Sequence, residues 1–242
     1  NDATKAIRIT EPGRGGIKSA PQLDAAGRQA VESIQTQNGP IRIAEKGTPT
    51  MVNEPSSPLN GKIVETVERV KNGSADKFLN GQPMTQGQAE ALDLATRELN
   101  NKGYAWMDNH AGNYGFEEIP GTDKWRVVVL DPGGIVPMKG ASLAEKADNA
   151  RALQQRLIPE EGTKEFLDMM DQRGPDGRKN FIERERGAIM GEHAGNIDVA
   201  AMGINSPYDI AFYPMGTLGF DNAQALSRMS PAEAAAYYGA RK

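Results

Sequence analysis

Apolar and polar positions along the chain predict short strands in its first quarter. Residues 4–10 alternate with a period of two, which is typical of a strand. Between residues 19 and 39 the apolar positions recur at helical spacing, so we expect a helix that begins with Ser19 as its cap and ends near Asn38–Gly39. Residues 41–44 and 50–52 predict two further short strands around a turn at Lys46–Gly47.

The middle of the chain predicts longer helices around a hairpin. Thr85 and Gln88 have the spacing of a capping box and open a helix that closes at Gly103. Residues 113–116 and 125–130 predict two strands joined by a turn. Another helix follows the Ser142 cap, and the remainder of the sequence is typical of helices and loops.

This order of elements predicts an α+β protein with two unequal lobes. We expect a small amino-terminal lobe over residues 1–54, which contains strands and one helix. A connector rich in Pro and Gly, residues 55–61, would be the hinge. Residues 62–242 would form a mainly helical carboxy-terminal lobe that contains the hairpin.

The composition limits which classes of protein and which binding partners are expected. A 38% apolar and 25% charged chain is ordinary for a globular protein, and 242 residues allow a sizeable core. The formal net charge of -4 gives no overall basic field, so nucleic acid is not an expected partner. Because the chain has no Cys, thiolate metal sites and disulfides are excluded. No apolar run approaches the roughly 18 residues of a membrane span.

Two acidic motifs flank the predicted hairpin. Asp108 lies five residues before Asn113, and Asp131 follows an apolar strand and precedes Pro132. Transfer of phosphate from a nucleotide needs a carboxylate that orients the attacking hydroxyl and oxygen ligands that hold magnesium. These three residues could supply both. The alternative is that they are turn-forming Asp and Asn residues at strand ends.

The order helix, Asp-x-His-x-Gly-Asn, hairpin and Asp-x-Gly resembles the protein kinase-like superfamily, and is similar to its atypical bacterial and aminoglycoside or choline kinase branches. The resemblance implies a two-lobed kinase-like fold with a reduced amino-terminal lobe, and ATP and Mg²⁺ as cofactors. It implies that Asp108 is the catalytic base, and that Asn113 and Asp131 complete the catalytic set as magnesium ligands.

The resemblance also implies nucleotide-binding residues in the small lobe. Arg8 stands near the place of the kinase phosphate-binding Lys, with Lys5 and Lys18 as rivals. Glu32 on the first helix is the candidate acidic partner, or else a solvated helix charge. Glu54 ends the segment that would contact adenine, and an ordinary exit from a strand is the alternative there.

These observations predict an ATP- and Mg²⁺-dependent phosphotransferase of atypical kinase type, acting on a hydroxyl of a protein or small molecule. By analogy it would be a bacterial effector or toxin in the cytoplasm, or secreted into a target cell's cytosol. Arg8 and the short amino terminus favour a second hypothesis, a pseudokinase or nucleotide-binding scaffold module of a larger bacterial or phage protein. A kinase-fold AMP-transferase is the third. A partner chain or upstream segment is expected to complete the small lobe.

Overall fold

The structure is a computed structural model that describes residues 4–10, 20–70, 72–73, 85–109, 111–160, 162–171, 181, 184–185, 189 and 192–204. Several expectations lie outside these residues. They are the Ser19 cap, the rival cation Lys18, His110 of the acidic motif and the elements predicted beyond residue 204.

The described elements confirm the mixed α+β class. The helices with described bounds are α1 (Ala20–Glu32), α2 (Gln86–Asn101), α3 (Leu143–Leu157) and α4 (Lys164–Asp171). The strands are β1 (Lys5–Thr10), β2 (Gln35–Thr36), β3 (Gly39–Pro40), β4 (Arg42–Ile43), β5 (Thr50–Met51), β6 (Ile63–Glu68), β7 (Asn72–Gly73), β8 (Tyr104–Trp106), β9 (Tyr114–Glu118), β10 (Trp125–Val129) and β11 (Ile135–Pro137). No helix in the described ranges is both long and apolar enough to cross a membrane.

A small antiparallel sheet has the strand order β1, β6, β5. In its register Arg8 lies opposite Glu65, so both side chains are on one face. The connector expected at residues 55–61 is the loop between β5 and β6, and it therefore joins two strands of one sheet. β6 was not expected, because Glu65 and Thr66 interrupt the alternation of its apolar residues.

A second sheet has the order β4, β10, β9, β7 and contains the hairpin that the sequence predicts. β4 is parallel to β10, with Ile43 opposite Val129. A separate antiparallel pair joins β8 to β11, with Trp106 opposite Ile135. Both β10 and β8 end beside the turn at 131–134. The second sheet and the β8–β11 pair therefore meet at this turn.

The helices cover these strands through two hydrophobic clusters. The capping box of α2 is confirmed: Gln88 N donates to Thr85 Oγ1 at 3.3 Å, and Thr85 N donates to Gln88 Oε1 at 3.1 Å. Leu92 and Leu99 of α2 pack in one cluster with Phe116 and other residues of β8–β11. α3 contributes to the second cluster, which also contains part of α1 and β11.

The first helix ends earlier than its pattern predicts. α1 stops at Glu32, and β2 and β3 then form a tight hairpin with Gly39 at φ +93°. A positive φ is readily adopted by Gly and is costly for most other residues, so this turn ends helical geometry before Asn38.

Candidate functional site

Asp108 and Asn113 lie together just after β8. The buried side chain of Gln154 on α3 accepts a hydrogen bond from Trp106 N at 2.9 Å and so fixes the end of β8. Asn113 Nδ2 donates to Asp108 Oδ2 at 2.7 Å and to the Asp108 carbonyl oxygen at 3.0 Å. Asp108 is buried, with 6% of its surface exposed. The loop therefore holds a buried carboxylate in a defined orientation.

Asp131 joins this pair from the end of β10. The carbonyl oxygen of Asn113 accepts from Leu130 N at 2.9 Å and from Asp131 N at 3.4 Å. The Asp131 carboxylate accepts from Gly133 N at 3.1 Å, which sets the direction in which the side chain leaves the strand. The structure thus brings the three residues of the acidic motifs together.

Two glycines allow the chain to pack tightly around this turn. A Cβ at Gly134 would lie 2.6 Å from the Cβ of Asp108, and Met107 N donates to Gly134 O at 2.7 Å. A Cβ at Gly27 on α1 would lie 1.8 Å from the carbonyl oxygen of Pro132. Since neither position has room for a side chain, α1 and Asp108 both press directly against the turn that carries Asp131.

An open cleft of about 390 Å³ lies between this turn, α1 and the small sheet. It contains three basic and three acidic side chains. Its lining residues are Arg8, Asp24, Arg28, Lys46, Gly47, Pro49, Glu65 and Asp131. Converging cations suit an anionic ligand, and carboxylates beside them suit a cation bound with it.

A smaller cavity of about 290 Å³ lies between α2 and the β9–β10 hairpin, and no predicted site residue lines it.

Lys46 is a cleft residue that sequence reasoning missed. Its Nζ lies 3.8 Å from Asp24 Oδ1, and only 14% of its side chain is exposed. Asp24 Oδ2 accepts from Arg28 Nε at 2.6 Å, so its two oxygens face two different cations. The segment around Lys46 was predicted as a turn. The overlooked signal is that Lys46 is the first cation after the predicted strand at 41–44.

Arg8 also lines the cleft, as its predicted role requires. Its guanidinium lies 3.9 Å from Glu65 Oε2, and 47% of its side chain is exposed. Lys5, its rival, is three residues away in β1 and so belongs to the opposite face of the strand. Arg8 is therefore the better placed of these two, although it is held more loosely than Lys46.

The structure does not bring Glu32 and Glu54 to the cleft. Glu32 is exposed at the end of α1, about 12 Å along the helix from Asp24. Glu54 is exposed in the loop after β5, where its carboxylate accepts from Ser56 Oγ at 3.0 Å. Of the acidic residues on α1 and in this loop, Asp24 is the one that lines the cleft.

The side chains of Asp131 and Asn113 offer oxygen donors, which are the type of ligand that suits magnesium. Within the described ranges no group of three or more His, Cys, Asp or Glu side chains is arranged so that it could hold a metal ion. Magnesium commonly takes one or two protein oxygens and completes its shell with phosphate and water. Asp131 supplies a carboxylate, and because the Asn113 amide nitrogen is engaged by Asp108, its Oδ1 is the atom suited to be a second ligand.

Comparison with known proteins gives no further guide. The sequence matches no family model, and no curated protein matches it. The resemblance to kinase-like proteins therefore stays a prediction from motifs.

Four charged residues form a network between the two sheets. Arg42 Nη1 and Nη2 donate to the Glu68 carboxylate at 2.6 and 2.7 Å. Arg42 Nε donates to Glu117 Oε2 at 3.2 Å, and Arg126 Nε donates to the same oxygen at 2.7 Å. The hydrogen bond from Arg42 is the main cause that holds the pKa of Glu68 below its ordinary value of 4.5. The hydrogen bond from Arg126 is the main cause that lowers the pKa of Glu117.

This network predicts a loss of stability in acid. A carboxyl whose pKa is lowered by folding stabilises the fold above its unfolded-state pKa, and that contribution is lost as pH falls through the folded value. At pH 7 we expect Glu68→Gln to lower the free energy of unfolding by about 1 kcal/mol. The difference from wild type should shrink as the pH falls below 4.5, because the Glu68 carboxyl is then protonated in the unfolded chain before it is protonated in the folded protein. Urea titrations of both proteins at pH 7 and pH 3.5 measure it, and a constant difference would contradict the assignment.

Proposed function

We propose that this protein is an ATP- and Mg²⁺-dependent phosphotransferase with a two-lobed, kinase-like arrangement. The observation that carries the proposal is the placement of Asp131: it lines a cleft with Lys46 and Arg8, and its backbone is hydrogen bonded to Asn113, which binds Asp108. Candidate groups for the phosphates, the metal and the acceptor hydroxyl are thus adjacent. Phosphoryl transfer requires positioning and charge neutralisation more than covalent chemistry.

Each residue has a role that follows from its position. Lys46 and Arg8 contact the phosphate chain, and Asp24 orients the Lys46 ammonium. Asp131 and Asn113 would hold magnesium, which when bound would neutralise charge on the phosphates. The nucleotide would occupy the cleft between α1 and the small sheet.

Asp108 acts on the acceptor hydroxyl. The acceptor oxygen forms a bond to the γ-phosphorus as the bond from that phosphorus to the bridging oxygen of ADP breaks. ADP leaves with the electron pair, and the acceptor proton passes to the Asp108 carboxylate. Asn113 holds that carboxylate in place through its 2.7 Å hydrogen bond. The acceptor belongs to a protein or a small molecule.

One observation favours a second candidate, a nucleotide-binding module without transfer activity. Asp108 is buried and does not line the cleft, so an acceptor reaches its carboxylate only if the surrounding loop gives way. In such a module the cleft and the magnesium ligands would still bind MgATP. Binding alone therefore does not separate the two functions.

Label transfer from ATP separates them. The protein is incubated with Mg²⁺ and ATP labelled at either the α- or the γ-phosphate, and label is followed on the protein itself and on candidate protein and small-molecule acceptors. The proposal predicts transfer of γ label only. Transfer of α label would indicate an AMP-transferase, and MgATP binding without any transfer would indicate the non-catalytic module. Absence of both binding and transfer would reject a nucleotide function.

We expect Lys46→Met to weaken MgATP binding by about 10- to 100-fold, the loss expected when a hydrogen bond to a charged group is removed. Arg8→Met should cost less, because Arg8 is half exposed and Lys46 is not. Titration calorimetry measures both affinities. Lys102→Met, at an exposed position after α2, is the control that should bind as wild type does. A larger loss for Arg8→Met would reverse the assignment of the main phosphate contact.

A further inference from the structure

We propose that Arg42 is a positioning residue that holds Lys46 in the cleft. Arg42 itself does not line the cleft, and it acts through Glu68 and the backbone next to Lys46. The consequence for nucleotide binding rests on the proposed function. The consequence for the Lys46 side chain does not.

The segment that carries Lys46 is fixed on one side to the main sheet. β4 runs parallel to β10, and Ala44 N donates to Val129 O at 2.9 Å. β10 is the strand that leads into Asp131. Since Lys46 follows Ala44 by two residues, this pairing places it beside the turn that carries the magnesium ligand.

Glu68 fixes the same segment to the small sheet. Glu45 N donates to Glu68 Oε2 at 3.0 Å, and Glu68 N donates to Glu45 O at 2.8 Å. The next residues continue this pairing: Lys46 forms a β-bridge with Val67, and Gly47 N donates to Thr66 O at 2.7 Å. The residues on both sides of Lys46 are therefore hydrogen bonded to β6.

Arg42 orients the Glu68 carboxylate, which accepts the hydrogen bond from Glu45 N in this link. Its two terminal nitrogens hold both Glu68 oxygens, while Glu117 binds its Nε and is itself held by Arg126. The planar guanidinium can make these three contacts at once, which a Lys ammonium cannot reproduce. Only 30% of the Arg42 side chain is exposed. Without Arg42, Glu68 turns to solvent, and the segment at 45–47 loses the hydrogen bond from Glu45 N to the carboxylate while its backbone hydrogen bonds to β6 remain.

Lys46 is sensitive to such a change because its side chain is long and its contact with Asp24 is not tight. The ammonium is 3.8 Å from Asp24 Oδ1, so a small shift of the backbone separates the pair. A flexible four-carbon stem cannot hold the ammonium in place unless its backbone is fixed. Arg42 is therefore expected to control how long Lys46 stays in the cleft.

The first test measures Lys46 directly and needs no nucleotide. Wild type, Arg42→Met and Arg42→Lys are treated briefly with an amine-acylating reagent, and acylation of each lysine is quantified by mass spectrometry. We expect the Lys46 rate to rise about three- to tenfold in Arg42→Met and less in Arg42→Lys, because loss of the Asp24 contact exposes the amine. Arg97→Met is the matched control, since Arg97 is 62% exposed and pairs with Asp93 one turn away on the same helix. An unchanged Lys46 rate in a folded Arg42 variant overturns the proposal. Circular dichroism confirms folding, and Arg42→Lys decides the result if Arg42→Met is unfolded.

The second test asks whether Arg42 affects MgATP binding through Lys46. Affinities are measured for Arg42→Met, Lys46→Met and the double variant. If Arg42 acts through Lys46, the double variant binds no more weakly than Lys46→Met alone. Losses that add fully would overturn the proposal. If wild type does not bind MgATP, the proposed function fails, and the acylation rates alone decide the role of Arg42.

Discussion

Asp108→Asn is expected to reduce γ-phosphate transfer by about 10²- to 10⁴-fold, the usual effect of removing a general base. The amide has nearly the shape of the carboxylate and can still accept a hydrogen bond from Asn113 Nδ2, so the loop should keep its structure. It cannot take up the acceptor proton. Initial rates with γ-labelled ATP measure the loss.

A matched substitution and a second measurement separate chemistry from folding in this experiment. Asp148→Asn changes an exposed carboxylate on α3 that pairs with Arg151 on the same helix, and it should transfer phosphate as wild type does. Asp108→Asn should still bind MgATP, since Asp108 does not line the cleft. If it transfers phosphate at the wild-type rate, Asp108 is not the catalytic base.

Gly27→Ala is expected to destabilise the fold by about 1–3 kcal/mol, the cost of overpacking a filled site, and to weaken MgATP binding at least tenfold. The added methyl would overlap the Pro132 carbonyl oxygen at 1.8 Å, so α1 must move away from the turn. That movement carries Asp24 away from Lys46 and widens the cleft beside Asp131. Urea denaturation and titration calorimetry measure the two effects.

Gly195→Ala is the control for the added methyl group. No atom of the described residues lies within 4 Å of the position that a Cβ would take at Gly195, so stability and affinity should stay near wild type. If Gly27→Ala is less stable but its folded fraction binds MgATP with wild-type affinity, the contact between α1 and the turn stabilises the fold without affecting the nucleotide-binding cleft.

Sequence patterns within short stretches were sufficient to predict a capped helix, a hairpin and one contact of the candidate site. The capping box at Thr85 and Gln88 depends on residues three apart, and the hairpin of β9 and β10 depends on one short turn. The contact between Asp108 and Asn113 is also local, because five residues separate them. Asp131 lies beside them because β9 and β10 are antiparallel, so the start of β9 and the end of β10 are adjacent. The α+β class and the acidic cluster could therefore be inferred from the sequence.

The partners within the cleft depend on contacts between distant parts of the chain. Lys46 lies close to Asp24 because β4 pairs in parallel with β10 and because α1 packs on the turn at 131–134. Both contacts join residues far apart in the sequence, so no local sequence pattern predicts them. The prediction of Glu32 as the acidic partner depends only on its presence on the first helix. It lies eight residues after Asp24, about 80° away around the helix as well as two turns further along, so it does not share the cleft face.

The measurement that tests the central claim most directly is the affinity for ATP with and without Mg²⁺ in wild type and Asp131→Asn. If Asp131 holds magnesium in a phosphate-binding cleft, wild type will bind MgATP saturably, and removal of Mg²⁺ with a chelator will weaken binding. Asp131→Asn will lose at least tenfold in affinity and most of its dependence on Mg²⁺. The account is contradicted if wild type does not bind ATP, or if Asp131→Asn binds it with wild-type affinity and wild-type dependence on Mg²⁺.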